Sequence, residues 1–203
     1  MLDVTKKDKI MKASLAEFAE HGFTKASTDR ISERAGVSKG LIFHYFGSKS
    51  KLYMTLMNDC IDKMLNEYKS IDASNKDFIS IIKTLTEIKY KFFMKNPLYY
   101  KLMIDGFYNS AKELSCELKQ KYEEITKIGI DIITSIIKNL PLKKNVSVES
   151  AVTIILGIQN IIQNKYLYYF TDDTADFEKY FKDIVDEFLE LINIVLYGII
   201  EEK

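Results

Sequence analysis

Apolar residues recur at helical spacing along nearly the whole chain. Met11, Leu15, Phe18 and Ala19 fall on one face of a first predicted helix over residues 6–21, with charged residues on the opposite face. Only two prolines and eight glycines interrupt the 203 residues, and such sparse punctuation favours long helices over many short strands. The pattern therefore predicts an all-α fold.

Residues 28–52 depart from this plan of long helices. The pattern predicts two short helices with a tight turn at Gly36, Val37 and Ser38, because glycine ends a helix at low cost and serine caps the next one. A third helix starts after a second break at Gly47 and Ser48. This is a helix-turn-helix arrangement, whose second helix can enter a major groove about 12 Å wide.

The second of these short helices has an unusual outer surface. Ile42 and Phe46 are four residues apart and are predicted to face inward. Gly40 within a helix costs up to about 1 kcal/mol relative to alanine, and close approach of the backbone to another surface would explain it. The alternative is that the aromatic residues are core residues of a small helical unit. The residues predicted to point outward are Lys39, Gly40, Phe43, His44 and Tyr45.

Charge supports a polyanionic partner for this part of the chain. Residues 1–52 carry ten Lys/Arg and six Asp/Glu, a net +4, whereas the rest of this neutral chain carries −4. Chance scatter of charges is the alternative. Lys49 lies at the start of the next helix, where the helix dipole disfavours a cation. A phosphate bound there would favour both Lys49 and the free backbone amides.

The middle of the chain is rich in aromatic residues. Residues 90–108 contain seven aromatic residues among nineteen, which fits either the lining of an apolar ligand cavity or an ordinary core. Asp105, in the same segment, is predicted to meet a cationic ligand or to lie on a solvated face. The residues predicted to bind a ligand are Tyr90, Phe93, Met103, Phe107, Tyr108 and Tyr166.

The last two predicted helices suggest an interface. Residues 148–170 are apolar on nearly every side, and residues 175–202 carry two adjacent apolar stripes. One stripe can face the core of the chain and the other a second copy, whereas a single thick core in a monomer is the alternative. The predicted dimer interface comprises Ile154, Gly157, Ile158, Ile161, Phe188, Leu191, Ile192 and Val195.

The sequence offers little that is typical of an enzyme or a membrane protein. Its two cysteines are far apart, and no nucleophilic, zinc-binding or phosphate-loop motif appears. We therefore expect no catalytic activity, no cofactor and no metal. The N-terminus lacks an apolar signal core and no apolar run approaches the length of a bilayer span, so we expect a cytoplasmic protein.

The stretch from residue 10 to residue 52 resembles the DNA-binding domain of TetR/AcrR-type transcriptional regulators. The resemblance implies an N-terminal helix-turn-helix domain over residues 1–47. It also implies a C-terminal helical ligand-binding and dimerisation domain over residues 48–203, which begins with a connecting helix at 48–70. The residues that carry it are Ile10, Phe18, Gly22, Thr28, Ile31, Ala35, Gly36, Val37, Ser38, Gly40, Phe43, Tyr45, Phe46, Ser48, Lys49 and Leu52.

The resemblance also implies roles for single residues. Thr28 and Ser38 would contact phosphates. Lys39, Gly40 and His44 would approach base edges. Phe43, Tyr45 and Lys49 would contact the DNA backbone.

Two positions depart from the family pattern. Phe43 stands where tyrosine is usual, which removes a hydroxyl contact to phosphate and leaves an apolar contact to a thymine methyl. Ser32 stands where alanine is usual.

These expectations describe a ligand-responsive regulator of transcription. We expect a homodimeric repressor that binds double-stranded DNA at a palindromic operator and leaves it when a small, largely apolar effector binds. The alternative is a helical dimer that binds small molecules or proteins without DNA recognition.

Overall fold

A computed structural model of the chain describes residues 5–68, 77–108, 114–166 and 175–197. All regular elements in these ranges are helical, so the predicted all-α fold is confirmed for this part of the chain. The helices are α1 (Lys6–Lys25), α2 (Thr28–Ala35), α3 (Lys39–Phe46), α4 (Lys49–Tyr68), α5 (Phe78–Lys95), α6 (Pro97–Tyr108), α7 (Ser115–Ile137), α8 (Val148–Tyr166) and α9 (Ala175–Tyr197).

Several helix ends follow directly from local sequence chemistry. Pro97 is the first residue of α6. Proline suits this position because it has no amide hydrogen, and amides in the first turn have no acceptor within the helix. Ser147 caps α8 by accepting a hydrogen bond from the Ser150 amide at 3.1 Å. The predicted start of α7 near Ser110 and the predicted ends of α8 and α9 lie outside the described residues.

The chain divides into two compact units. The first unit contains the residues up to Asn66 together with Asn96–Glu123, and the second contains Glu67–Lys95 together with the residues from Glu124 onward. This division follows packing, because most of α4, all of α6 and the start of α7 pack in the first unit. The functional boundary between residues 47 and 48 stays a prediction.

The first unit includes the head, by which we mean α1 to α3. Its core holds the residues predicted to point inward from both short helices, because Ile31, Ala35, Ile42 and Phe46 are all buried. Val37, in the turn between α2 and α3, is half-buried. The head therefore has an apolar core of its own, to which α1 contributes Ile10, Ala13 and Phe18.

A backbone kink in α1 is tied to α6 by one carboxylate. Gly22 has φ of 65° and ψ of 170°, a conformation open to glycine, and it interrupts the helix before Phe23. Oδ2 of Asp105 accepts hydrogen bonds from the Phe23 amide and from the Tyr53 hydroxyl, each at 3.0 Å. A Cβ atom at Gly22 would lie 2.7 Å from Oδ1 of Asp105, so only glycine leaves room for this carboxylate. Asp105 is thus a half-buried structural acceptor, so the prediction that it lies on a solvated face is wrong, whereas a contact with a cationic ligand stays a prediction.

Aromatic packing completes this contact. The Tyr53 ring is fully buried and meets the rings of Phe18 and Phe23 edge-on, at centroid distances of 5.0 and 5.2 Å. Burial, followed by the neighbouring Asp105 carboxylate, raises the pKa of Tyr53, so its hydroxyl stays protonated as a donor. The kinked end of α1 is therefore held by α4 and α6 together.

Further contacts join α4 and α6 within the first unit. A Cβ atom at Gly106 would lie 2.9 Å from Cε of Met57, so this glycine permits close approach of the two helices. Lys63 on α4 lies 2.6 Å from the Asp59 carboxylate and donates to the Tyr99 hydroxyl at 2.8 Å. The Tyr99 hydroxyl in turn donates to Asp59. These bonds fix α6 along α4, and hence they fix Asp105 beside the head.

The second unit is built mainly on α5, α8 and α9. Both α5 and α8 pack against α9. The apolar faces turned toward one another supply its core, which includes Ile81, Ile82, Val152, Ile155, Ile162, Ile184, Val185, Phe188 and Ile192.

Replacement of Asp105 by alanine tests the contact at the kink. We expect the free energy of unfolding to fall by about 2–3 kcal/mol, because the Phe23 amide loses its acceptor and Tyr53 loses one of two. Asp105→Asn keeps an acceptor oxygen and should cost less. Denaturant unfolding of the three proteins measures the difference.

Asp62→Ala is the matched control for this prediction. Asp62 is an exposed carboxylate on α4, so its removal should change stability by no more than about 0.5 kcal/mol. Equal stability of Asp105→Ala and Asp62→Ala would contradict the role given to Asp105.

Candidate nucleic-acid interface and ligand cavity

Two serine caps and one glycine shape the turn between α2 and α3. Ser27 Oγ accepts from the Asp29 amide at 3.2 Å, and Ser38 Oγ accepts from the Leu41 amide at 3.3 Å. Gly36 ends α2 in the left-handed conformation, with φ of 65° and ψ of 40°. The predicted helix-turn-helix is therefore present, with Ser27 as the cap of α2.

An ion pair between the buried Glu17 and the half-exposed Arg30 fixes α2 against α1. The Glu17 side chain is 0% exposed, and its Oε1 accepts from Arg30 Nε at 2.8 Å and from the Ser27 amide at 2.9 Å. Burial raises the pKa of Glu17, but the hydrogen bonds from Arg30 and Ser27 outweigh it and hold the pKa below its usual value. Glu17 is consequently ionised at neutral pH and orients both Arg30 and the cap of α2. The sequence pattern did not reveal this pair, because a glutamate on a polar helix face is usually solvated.

The outer face of α3 is open to solvent. Phe43 is 39% exposed and Tyr45 is 44% exposed, so neither is a core aromatic residue of the head. Thr28 and Lys49, at the starts of α2 and α4, are half-buried. We call the exposed set the reading surface; it comprises Ser38, Lys39, Gly40, Phe43, His44 and Tyr45.

Nothing in the described part of the chain packs against Gly40. A Cβ atom built there meets no protein atom within 4 Å, so internal packing does not require the glycine. The helix still bears the propensity cost of about 1 kcal/mol. An external surface that approaches the α3 backbone closely remains the physical reason for a glycine here.

Two lysines beside the reading surface are held in defined positions. Lys39 Nζ lies 2.9 Å from the Asp29 carboxylate, an exposed pair that salt or a competing anion can displace. Lys49 Nζ donates to the Thr24 carbonyl oxygen at 3.4 Å and lies 4.7 Å from the centre of the Phe23 ring. Lys49 therefore stands at the junction of α1 and α4, close to the first-turn amides of α4.

The second unit contains a partly open cavity of about 110 Å³. Apolar side chains dominate its wall, and among the polar residues of the wall is one lysine, Lys89. The lining residues are Tyr68, Ile82, Leu85, Thr86, Lys89, Tyr90, Gly129, Ile132, Ile133, Gln159, Ile162, Ile184 and Phe188.

Of the six residues predicted to bind a ligand, Tyr90 lines this cavity. Phe93 and Tyr166 are buried elsewhere in the second unit, and the Tyr166 hydroxyl donates to Glu187 at 2.8 Å. Met103, Phe107 and Tyr108 belong to the first unit, where Met103 is buried and Tyr108 is exposed. The structure thus does not bring the six together, and a ligand-binding role for them stays a prediction.

Lys89 was not predicted as a cavity residue, although the sequence contains a signal for it. Ile82, Leu85 and Lys89 follow helical spacing, so a lysine occupies the apolar stripe of α5. Burial lowers the pKa of Lys89 to about 8. Its ammonium lies 3.4 Å from the Gln163 amide oxygen, and no carboxylate of the described residues pairs with it.

The residues predicted to form a dimer interface divide into two groups. Ile154, Ile161 and Val195 are exposed by 45%, 63% and 43%. Ile158, Phe188 and Ile192 are buried within the second unit, and Gly157 and Leu191 are half-buried. Exposed apolar side chains therefore occur on both α8 and α9, where Ile194, Leu196 and Tyr197 near the end of α9 are exposed as well.

No helix among the described residues is long and apolar enough to cross a membrane.

Comparison with known proteins places this geometry among bacterial regulators. The chain is 22% identical to the HTH-type transcriptional activator FasR of Mycolicibacterium smegmatis over 129 residues, covering 64% of this chain and 59% of FasR. It is 38% identical to the HTH-type transcriptional repressor AcnR of Corynebacterium efficiens over 61 residues, covering 30% of this chain and 32% of AcnR. The chain therefore spans less than two thirds of the length of either relative.

A solved structure shares the fold over almost the full length. The transcriptional regulator FadR from Bacillus subtilis, solved in complex with stearoyl-CoA, superposes with a TM-score of 0.64 at 19% identity, covering 95% of this chain and 98% of FadR. Residues 10–54, which contain the helix-turn-helix, match the family model described as "Bacterial regulatory proteins, tetR family". The similarity to the tetR family of bacterial regulatory proteins therefore lies in this N-terminal segment of the chain.

Proposed function

We propose that the protein is a ligand-responsive, sequence-specific DNA-binding regulator of transcription, and that it acts as a repressor. The observation that carries the proposal is the reading surface itself. An exposed helix with two aromatic residues, a histidine, a lysine and an unpacked glycine has no use in solubility or in the core of the head. It suits a major groove, where side chains read base edges and the backbone approaches closely.

The hydrogen bonds and ion pairs around the reading surface determine how the neighbouring residues contribute to DNA binding. The first-turn amides of α4, with Lys49 beside them, form a site for a phosphate. Thr28, at the start of α2, offers a second phosphate contact. To contact a base edge or a phosphate, Lys39 must give up its ion pair with Asp29. Part of the free energy that Lys39 gains from DNA therefore offsets the loss of this pair.

The second unit supplies the ligand-responsive part of the proposal. Its cavity is lined mainly by apolar side chains with a small number of polar groups, which is typical of a small-molecule site. FadR of Bacillus subtilis was solved with stearoyl-CoA, which supports a ligand site in this fold. α4 is one unbroken helix from Lys49 to Tyr68, and this helix is the proposed route by which a ligand affects DNA binding.

The exposed apolar side chains of α8 and α9 support a homodimer. Exposed isoleucine and valine side chains are costly to hydrate and are typical of an interface. A two-fold axis through these side chains gives a bundle of four helices and two reading surfaces. Two such surfaces fit a near-palindromic operator with half-sites about 34–36 Å apart or somewhat more. Because such a regulator acts on DNA, we propose that it is located in the cytoplasm. None of the proposed steps is catalytic.

A helical dimer that binds small molecules or proteins without DNA is the second candidate. The cavity and the exposed apolar side chains suit it equally well. It gives no reason for the exposed aromatic residues of α3 or for the open space around Gly40. DNA recognition therefore explains more of the molecule.

Replacement of Lys49 by alanine tests the phosphate contact. We expect weaker binding to all DNA sequences, with the salt dependence of log K reduced by about one unit for each head bound. Titration of a labelled duplex by fluorescence anisotropy over a range of salt concentrations measures this slope. His44→Ala should instead change which sequences bind best, because His44 faces base edges.

Lys101→Ala provides the matched control, since Lys101 is an exposed lysine on α6 outside the reading surface. It should leave both the affinity and the salt slope unchanged. If Lys49→Ala behaves like Lys101→Ala, Lys49 does not contact phosphate.

Replacement of Ile161 by glutamate tests the dimer. Ile161 is the most exposed of the predicted interface residues, and a charge there should dissociate the dimer and weaken operator binding by at least about tenfold. Ser135→Glu adds the same charge at an exposed position on α7 and should leave the dimer intact. Analytical ultracentrifugation gives the oligomeric state of each variant. A dimer that persists in Ile161→Glu would contradict an interface on this face.

A further inference from the structure

Lys89 is an unusual residue to find in the wall of an apolar cavity. Most of its neighbours in the wall are apolar side chains from α5, α7, α8 and α9, and the polar ones include Thr86 and Gln159. A desolvated ammonium without a counterion is unfavourable, and proteins usually supply a carboxylate to such a group. Here the residue within hydrogen-bonding distance is Gln163, whose amide oxygen accepts a bond of 3.4 Å but carries no charge.

The titratable groups that face Lys89 do not neutralise it. The helices that form the wall contribute only Tyr68 and Tyr90 as further titratable residues, and no carboxylate among the lining residues of the described chain. Burial raises the pKa of Tyr68, so this hydroxyl stays neutral and can act as a donor. Burial lowers the pKa of Lys89 to about 8, which still leaves the ammonium mostly protonated at neutral pH.

We propose that this cavity binds a small apolar carboxylate whose charged group pairs with the Lys89 ammonium. The carboxylate replaces the missing counterion, and the apolar body of the ligand fills the space between Ile82, Ile162 and Phe188. A charge-assisted bond in such a desolvated site is about twice as strong as a neutral one. A cationic ligand is rejected by the same ammonium.

The cavity volume limits the size of the ligand. Its 110 Å³ is somewhat smaller than an engineered cavity of about 150 Å³ that binds benzene. The cavity therefore favours a short-chain carboxylate, whereas a single-ring carboxylate or a long acyl chain requires the helices to move apart. This inference rests on the proposed function for its biological meaning, since the ligand is the effector of the regulator.

Three probes with the same six-carbon skeleton test the charge requirement. Hexanoate, 1-hexanol and hexylamine carry an anionic, a neutral and a cationic head group. Calorimetric titration of the full chain without DNA should show hexanoate binding at least about tenfold more tightly than 1-hexanol, with hexylamine the weakest. Butanoate and octanoate then define the length that the cavity accepts. Equal binding of hexanoate and 1-hexanol, or no binding of any carboxylate, would overturn the proposal.

A substitution then assigns the effect to Lys89. Lys89→Met keeps the length of the side chain and removes the charge, so the preference for hexanoate over 1-hexanol should disappear. Lys83→Met removes an exposed lysine from the same helix and should keep the preference. Loss of a buried charge is not expected to unfold the protein, and a thermal melt of the variant checks this.

A pH series on the unaltered protein gives a second, independent measurement. Hexanoate stays ionised, so its affinity should fall as pH rises above about 8 and Lys89 loses its proton. Binding of 1-hexanol should not change over the same range. A hexanoate affinity that is constant from neutral pH to well above pH 8 contradicts the pairing even if the Lys89 variant does not fold.

The design separates this inference from the proposed function. A protein that binds DNA selectively but not hexanoate is a regulator with a different ligand. A protein that binds hexanoate through Lys89 but no DNA has the proposed cavity and lacks the proposed function.

Discussion

The carboxylate of Asp105 is the contact on which the arrangement of the first unit depends. It accepts the Phe23 amide where Gly22 breaks α1, and it accepts the Tyr53 hydroxyl from α4. One side chain on α6 thus accepts a backbone hydrogen bond from α1 and holds α4 at the same point. Because Lys49 lies about one helical turn before Tyr53 and its ammonium lies over the Phe23 ring, the proposed phosphate site takes its position from the same contact.

The two candidate sites are connected by a shared physical feature. The reading surface leaves aromatic side chains in water, and the cavity keeps an ammonium away from a counterion. Each arrangement is unfavourable in the isolated chain and would be relieved by the proposed partner: a duplex in the first case and an apolar carboxylate in the second. Binding of each partner to a different arrangement of α4 would make the two compete, and by linkage the weakening is reciprocal.

Local sequence signals predicted the head well, because its helices are short and end in glycine and serine. The inward positions of α2 and α3 and the turn at Gly36 are set by residues close in sequence. The cavity could not be predicted in this way, since its wall comes from helices far apart in the chain. Aromatic density drew attention to residues 90–108, yet Tyr99 and Asp105 join α6 to α4, and the charged residue in the cavity is Lys89.

Selection of bound fragments from sheared genomic DNA by the purified protein is the most direct test of the account. We predict that the enriched fragments share a near-palindromic sequence with two half-sites, and that a dimer occupies it with an affinity that falls steeply as salt rises. Recovery of fragments without any shared sequence would contradict the central claim that α3 reads DNA.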